Sequence, residues 1–215
     1  MPEKNITQLT VGPIAANCWI YPFNEKEAAV IDPGDEAGVI ISAVEKLGLT
    51  PTFILLTHGH FDHIAALPEL AAAFGSRPQI AIHRLDGEYL GPEAYRTQSI
   101  SIRAAMGDTS LIDASWRDIP PPSLLLEEGD TIGTLTVMHL PGHSRGSAAF
   151  WDKEARVLFS GDTLFEGAYG RTDLPGGSEE QLFASLRRLF AMDGSIKVYP
   201  GHGNTTTIAR EAGMR

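Results

Sequence analysis

The chain has 215 residues, 43% of them hydrophobic, and a formal net charge of −10. That is ample apolar material for a core, while an acidic balance without clustered Lys and Arg argues against a nucleic-acid surface and no apolar run approaches a membrane span. Lone Cys18 excludes an internal disulfide, and the opening Met-Pro-Glu-Lys-Asn has neither a basic nor an apolar leader pattern, so a cytoplasmic, reducing location is expected.

Residues 6–11, 17–21 and 28–31 read as three short strands separated by Gly12-Pro13 and Asn24-Glu25-Lys26, an antiparallel opening. Asp32-Pro33-Gly34 ends the third strand. Asp35 is then placed to cap a helix whose apolar positions Val39, Ile40, Ala43, Val44 and Leu47 recur at helical spacing until Gly48. Phe53-Ile54-Leu55-Leu56 is apolar throughout, as in a strand buried on both faces. Residues 64–74, with Pro68 early and Gly75 after, predict a helix whose N-terminus points at the preceding loop. A strand follows at 79–83, with His83 in a structural or surface role. Residues 84–122 form a long connection between core strands, with short helices at 85–90 and 98–106 and a stiff Ile119-Pro120-Pro121-Pro122. Strands return at 123–126, at 131–140 across Gly133, and at 147–151 and 156–160, the last two joined as a hairpin by Asp152-Lys153-Glu154-Ala155. Ser178 starts a helix with Glu179 and Glu180 in its first turn and Leu182, Leu186, Leu189 and Phe190 inward. A strand to Tyr199 and a short helix from about Thr205 finish the chain.

The densest chemistry lies at Thr57-His58-Gly59-His60-Phe61-Asp62-His63, directly after the apolar run. His58 and His60 are two residues apart, so in an extended backbone both rings leave one face and can converge on one ion; Asp62 and His63, where the chain turns, can face a second position. Imidazole and carboxylate donors suit zinc, iron or manganese. Three further places set His or Asp after an apolar strand and beside glycine: Pro141-Gly142-His143, Ser160-Gly161-Asp162 and Pro200-Gly201-His202. Reading all of these as ordinary core or surface residues leaves their shared context unexplained. A competing motif, Gly142-His143-Ser144-Arg145-Gly146, fits the nucleophile elbow, with Ser144, Asp162 and His202 in triad order. That elbow requires a helix after the serine, whereas Ser147-Ala148-Ala149-Phe150-Trp151 leads into a hairpin, and His58, His60, Asp62 and His63 would be left idle.

The order His-x-His-x-Asp-His, then His143, Asp162 and His202, resembles the metallo-β-lactamase superfamily of hydrolases, over about residues 5–210. The resemblance implies a single domain over 1–215 with α/β architecture, a four-layer αββα sandwich of two mixed sheets flanked by helices. It implies two divalent metal ions, zinc first and iron or manganese as alternatives. Residues matching His58, His60 and His143 would hold one, those matching Asp62, His63 and His202 the other, and Asp162 would bridge. Asp62 and Asp162 are the candidate catalytic carboxylates. Thr57, His139 and Asp32 are candidates for supporting hydrogen bonds behind the ligands. Residues 84–122 are expected to form a wall or lid over the site, with Tyr89, Tyr95, Met106 and Trp116 as substrate contacts.

Ser160-Gly161-Asp162-Thr163-Leu164-Phe165 followed by Gly170-Arg171-Thr172-Asp173-Leu174-Pro175-Gly176-Gly177 is similar to glyoxalase II-like hydroxyacylglutathione hydrolases of the short bacterial type. This implies a small-molecule thioester substrate, a glutathione conjugate such as S-D-lactoylglutathione, cleaved to D-lactate and glutathione. Larger glyoxalase II enzymes carry a helical domain beyond the position of His202 with basic contacts to glutathione, so glutathione recognition is expected to differ here. An aspartate at the bridging position, with no cysteine near it, departs from β-lactamases that place Cys among the second-metal ligands, and antibiotic hydrolysis is not expected. Gly170-Arg171-Thr172-Asp173 also resembles persulfide dioxygenases, in which one iron is held by residues matching His58, His143 and Asp162. A metal-stabilised binding protein without turnover is the third alternative. Arg171 either positions an anionic substrate or pairs with Asp173.

Overall fold

The computed structural model describes residues 5–75, 78–114 and 116–213, and the leader pattern sought at Met1–Lys4 lies outside them. Strands β1 (Thr7–Val11), β2 (Ala16–Pro22) and β3 (Glu27–Ile31) form an antiparallel meander, with Thr7 opposite Ile20 and Trp19 opposite Ile31. Helix α1 (Ala37–Leu47) crosses back so that β4 (Thr50–Leu56) lies parallel to β3, and α2 (Leu67–Phe74) does the same for β5 (Gln79–His83). After α3 (Ala94–Met106) and α4 (Ser110–Asp113), β6 (Leu124–Leu126) joins parallel to β5 and completes a six-stranded sheet in chain order.

The second sheet begins with β7 (Thr131–Ile132), β8 (Leu135–His139), β9 (Ala148–Asp152) and β10 (Val157–Gly161), each antiparallel to the one before. A small hairpin of β11 (Leu164–Phe165) and β12 (Ala168–Tyr169) precedes α5 (Glu179–Phe190). Strand β13 (Lys197–Pro200) returns parallel to β10, and β14 (Thr206–Thr207) and α6 (Ile208–Glu211) close the chain.

Successive side chains of a strand leave opposite faces, so each central strand feeds two apolar layers. Ile20, Ile54, Leu56 and Ile82 meet Ile40 and Val44 of α1 and Leu67 and Leu70 of α2. The alternate residues Trp19, Ile31, Leu55 and Ala81 meet Val137, Phe150 and Phe159 of the second sheet. On that sheet's far side, Ala149, Leu158 and Val198 meet Leu182, Leu186 and Leu189 of α5. Helix, sheet, sheet, helix is the order that buries all three layers, and it is the αββα arrangement the motif order implied. Among the described residues no helix is long and apolar enough to cross a membrane.

Three local expectations change. The strand expected across Gly133 is instead the hairpin of β7 and β8: Gly133 takes φ 58°, and a Cβ there would stand 2.7 Å from the Phe23 ring. Helix α1 starts at Ala37 behind Glu36, which has φ 51° and provides no side-chain cap; Asp35 Oδ1 accepts the Glu36 N–H at 2.6 Å. The helix expected from residue 64 begins at Leu67, because Phe61–His63 first forms a 3-10 turn and Pro68 sits in the first helical turn.

Phe150 is fully buried between the sheets. Phe150→Ala is expected to cost about 3–5 kcal/mol in urea unfolding, whereas Val39→Ala, on the 47%-exposed face of α1, is expected to stay within about 0.5 kcal/mol.

Candidate metal centre

The loops bearing the candidate residues leave the C-terminal ends of β4, β8, β10 and β13, which the parallel pairings bring to one rim. Hydrogen bonds between the two sheets sew that rim together. Ala148 N–H donates to Thr57 O at 2.8 Å, Asn17 N–H to Gly201 O at 2.7 Å, and the Trp19 indole to Pro200 O at 3.1 Å.

At the rim, donor atoms of His58, His60 and His143 lie within 4.8 Å of one another, and so do those of Asp62, His63 and His202. His60 Nδ1 is 2.8 Å from His143 Nε2, and His202 Nε2 is 3.3 Å from both His63 Nε2 and Asp62 Oδ2. The Asp162 carboxylate spans the two groups, with Oδ1 at 3.4 Å from His63 Nε2 and Oδ2 at 3.6 Å from both His143 Nε2 and His202 Nε2. Gly201 makes this approach possible, since a Cβ there would collide with Asp162 Oδ1 and the His63 ring.

Hydrogen bonds behind the rings decide which nitrogen faces inward. His143 Nδ1 meets the Arg171 carbonyl at 2.8 Å and His202 Nδ1 meets the Ala15 carbonyl at 3.3 Å, so each must carry its proton there and turn a lone pair on Nε2 to the centre. Asp32 does the same for two more. Its Oδ1 accepts Thr57 N–H at 2.7 Å, and its Oδ2 accepts the Thr57 hydroxyl at 2.6 Å and His63 Nδ1–H at 3.1 Å. With its own proton given to Asp32, Thr57 Oγ1 can only accept from His58 Nδ1, 3.1 Å away. Asp32 could itself complete a group with His58 and His63, but both its oxygens are already committed behind the rings. Its backbone sits at φ 52°, a strained conformation for a non-glycine residue.

Burial and the neighbouring imidazoles hold His58 well below the ordinary histidine value, and burial with His143 brings His60 down to about 3. Burial would lower His63 also, but Asp62 and Asp162 raise it to about 10; in return His63 and His202 outweigh burial and hold Asp62 well below the carboxylate range. His58 and His60 are thus neutral at pH 7, while His63 and Asp62 form a proton-held ion pair, which a cation can enter by displacing a proton. His58 Nε2 and Asp162 Oδ1 are buried without a hydrogen-bond partner, a cost that a divalent cation at the convergence would remove. The donor set fits such an ion.

Over this floor lies a cavity of about 260 Å³, walled by Phe61, by Gln98, Ile102 and Met106 of α3, and by Arg171 and Leu174. Arg171 stands on the wall and also pairs with Asp173, Nε and Nη2 reaching its two oxygens at 2.7 and 2.8 Å. Three of the expected substrate contacts do not line the cavity. Tyr89 is buried edge-on against His60 with its hydroxyl 3.3 Å from Ser101 Oγ; Tyr95 lies on the solvent side of α3 and donates to Asp113 at 2.8 Å; Trp116 stacks on Phe61 at 6.2 Å. His139 stacks on His83 with ring centroids 4.0 Å apart, and its Nε2 meets Arg145 O at 2.9 Å, so it braces the loop after His143 and supports no ring of the cluster.

Two residues that no motif marked hold the centre in place. Asp86, fully buried, accepts Gly59 N–H at 3.0 Å, Ser144 Oγ–H at 2.7 Å and Gly146 N–H at 2.6 Å; burial nevertheless raises its carboxyl. Gln98 Nε2 donates to Gly59 O at 2.6 Å. A Cβ on Gly59 would collide with the Tyr89 ring. Residues 84–122 therefore grip the peptide between His58 and His60 as well as walling the cavity. Ser144 is buried and committed to Asp86 and Ser147, which removes it as a nucleophile.

A metal-dependent hydrolase of the αββα class is what this fold and convergence define. The chain belongs to the metallo-beta-lactamase superfamily, whose profile matches residues 11–202. It is 35% identical over 212 residues to hydroxyacylglutathione hydrolase GloC of Haemophilus influenzae, covering 96% of this chain and 94% of that protein. Among solved structures it is similar to TTHA1623 in a di-iron-bound form, with a TM-score of 0.83, 38% identity and coverage of 97% of this chain and 98% of that one. It is also similar to BLEG-1, a B3 metallo-beta-lactamase, with a TM-score of 0.82, 36% identity and coverage of 96% and 95%.

Asp86→Ala is expected to weaken metal binding about 10- to 100-fold, measured by competition with a chromogenic chelator, while far-ultraviolet circular dichroism stays native. A second expectation concerns acid stability. Burial, with His139 and Arg84, lowers His83 to about 4, while the unfolded chain titrates near 6.5. Between these values only the unfolded state binds the proton, so stability falls as pH drops from about 6.5 to about 4. His83→Gln should flatten that part of the curve in denaturant titrations.

Proposed function

We propose that the chain is a binuclear metal-dependent thioesterase acting on a small acyl thioester of the S-D-lactoylglutathione type. The observation that carries this reading is the meeting of two His/Asp groups at Asp162 on the floor of a cavity, supported by the identity with GloC across nearly the whole chain. His58, His60 and His143 would hold one ion, Asp62, His63 and His202 the other, and Asp162 both. Zinc is the first choice, and the likeness to a di-iron form of TTHA1623 makes iron the leading alternative ahead of manganese. When bound, the ions supply Lewis acidity, ionising a shared water near neutral pH and polarising the substrate carbonyl.

The chain's own residues do the rest. Asp62 and Asp162 would orient that water toward the carbonyl carbon, and one of the two carboxylates would accept its proton. A thiolate leaves without a strong general acid. Arg171, steadied by Asp173, offers a cation to the anionic end of the thiol portion. Ile102 and Leu174 present apolar surface to the acyl portion, which lowers the water content beside the floor and strengthens the charge interactions there. Residues 84–122, a part of the one domain spanning 1–215, close this side of the cavity as its wall. A formal charge of −10 opposes nucleic acid as a substrate.

The likeness to BLEG-1 favours one second reading, a β-lactam carbonyl attacked in the same cavity. A mononuclear-iron persulfide dioxygenase is the competitor that Gly170-Arg171-Thr172-Asp173 raises. Elemental analysis of purified protein, followed by assays on S-D-lactoylglutathione, a chromogenic cephalosporin and glutathione persulfide, separates the three. The expected result is two metal ions per chain and thioester cleavage that chelation abolishes, metal restores and Asp162→Asn reduces to near background. One iron per chain with oxygen uptake on the persulfide would falsify the thioesterase reading, as would a fully loaded protein inert to thioesters.

A further inference from the structure

We propose that a second cleft, across α3 from the metal cavity, is a binding site for a small zwitterion with an apolar body, the class of apolar amino acids and their dipeptides. The site is independent of the thioesterase reading. Helix α3 separates two spaces of nearly equal size: Gln98, Ile102 and Met106 face the cavity of about 260 Å³ over the metal floor, whereas Arg96, Thr97 and Ile100 face one of about 250 Å³. Ser101 borders both, its hydroxyl 3.3 Å from Tyr89 OH. Leu85, Glu88, Arg145 and Gly176 close the other sides of the second space.

The charges of this cleft select its occupant. Two carboxylates, Glu88 and Glu93, and two guanidiniums, Arg96 and Arg145, stand at its surface and balance each other, which favours a ligand without net charge. Asp86 lies beneath them, fully buried, with both oxygens committed to Gly59, Ser144 and Gly146. Glu93 and Arg96 pair at 3.7 Å. Arg145 and Glu88 make no side-chain hydrogen bond or ion pair among the described residues. Burial raises the Tyr89 hydroxyl, and among the smaller causes Glu88 adds to the rise while Arg145 opposes it, so both charges act on one point of the cleft wall. Opposite charges that share a cleft without meeting are joined by a ligand carrying both: a carboxylate takes the guanidinium fork and an ammonium takes the carboxylate.

Size and surface narrow the class further. Leu85 and Ile100, 39% and 52% exposed, line the same space, so the body of the ligand between its charges meets apolar surface. The Arg145 stem runs along Gly176, where a Cβ would stand 3.3 Å from Arg145 Cγ. A volume of about 250 Å³ lies below the roughly 300–1,000 Å³ of pockets for drug-sized ligands, which limits the occupant to the size of an amino acid or dipeptide.

The test is calorimetric titration of metal-loaded protein with L-leucine and with L-leucyl-L-leucine. Each is compared with its N-acetyl derivative, which lacks the ammonium, and its C-terminal amide, which lacks the carboxylate. At least one of the two zwitterions should bind at one molecule per chain, and its one-charge forms should bind at least about tenfold more weakly. Arg145→Met and Glu88→Gln should each weaken the zwitterion by a similar factor, with circular dichroism and metal content as folding controls. Asp86 and Tyr89 stay intact because both also meet the Gly59 peptide. Amino acids chelate metals, so the titration is repeated on chelator-stripped protein, where binding in the cleft persists and chelation at the floor vanishes. Absence of binding by both zwitterions at millimolar concentration, equal binding of a one-charge form, indifference to either substitution, or loss of binding with the metal overturns the proposal.

Discussion

The direction of a few imidazole protons governs everything at the rim. Four of the five clustered rings place Nδ1 against an acceptor behind them: Thr57 Oγ1 for His58, Asp32 for His63, and the carbonyls of Arg171 and Ala15 for His143 and His202. Each outward proton turns Nε2 to the centre, where it can meet a cation or, for His63, a second proton held by Asp62 and Asp162. Asp32 is central because one carboxylate orders two rings and the start of the loop at once. Its left-handed backbone is the conformation that turns the carboxylate back under that loop, a strain of about 1–3 kcal/mol held by the surrounding structure.

Strand geometry explains why separated loops reach one point. Parallel pairing of β3 with β4 and of β10 with β13 puts carboxyl ends together within each sheet, and the apolar layer between the sheets holds the two rims face to face. The contacts of Asn17 and Trp19 with Gly201 and Pro200 then fix the β13 loop against the first sheet. Burial between sheets is what makes this register unique. A one-residue slip in β4 would send Leu55 to the helices and Ile54 and Leu56 to the other sheet, and would turn the His58 and His60 rings away from the centre.

Much of this was readable in the sequence because it is periodic or local. The unbroken apolar run of β4, the i, i+4 pattern of α5 and the His-x-His spacing depend on neighbours in the chain. The remainder depends on contacts between distant residues. Asp86 meets Ser144 and Gly146 across 58 and 60 positions, and nothing in Leu85-Asp86-Gly87 distinguishes that carboxylate from an exposed one. Gln98 stands in a polar stretch of α3 that reads as a surface. Tyr95 and Trp116 looked like contacts on residue type alone, but the direction of a side chain in a 39-residue connection (84–122) is set by packing, which one sequence does not encode locally. At Gly133 the turn is matched to a partner far away in the chain, since a Cβ there would stand 2.7 Å from the Phe23 ring.

The grip on Gly59 limits how the cavity can open. Asp86 and Gln98 belong to the same connection as the cavity wall, and both are bonded to the peptide linking His58 to His60. If α3 melted or swung aside to admit a ligand, that peptide would lose its anchors in the same event, and the affinity for cations would drop just when a substrate arrived. Traffic is thus left to rotation of single side chains at the mouth. Met106 and Ile14 are both solvent-exposed and both border the cavity, so rotation of these two side chains would widen its mouth without disturbing that peptide.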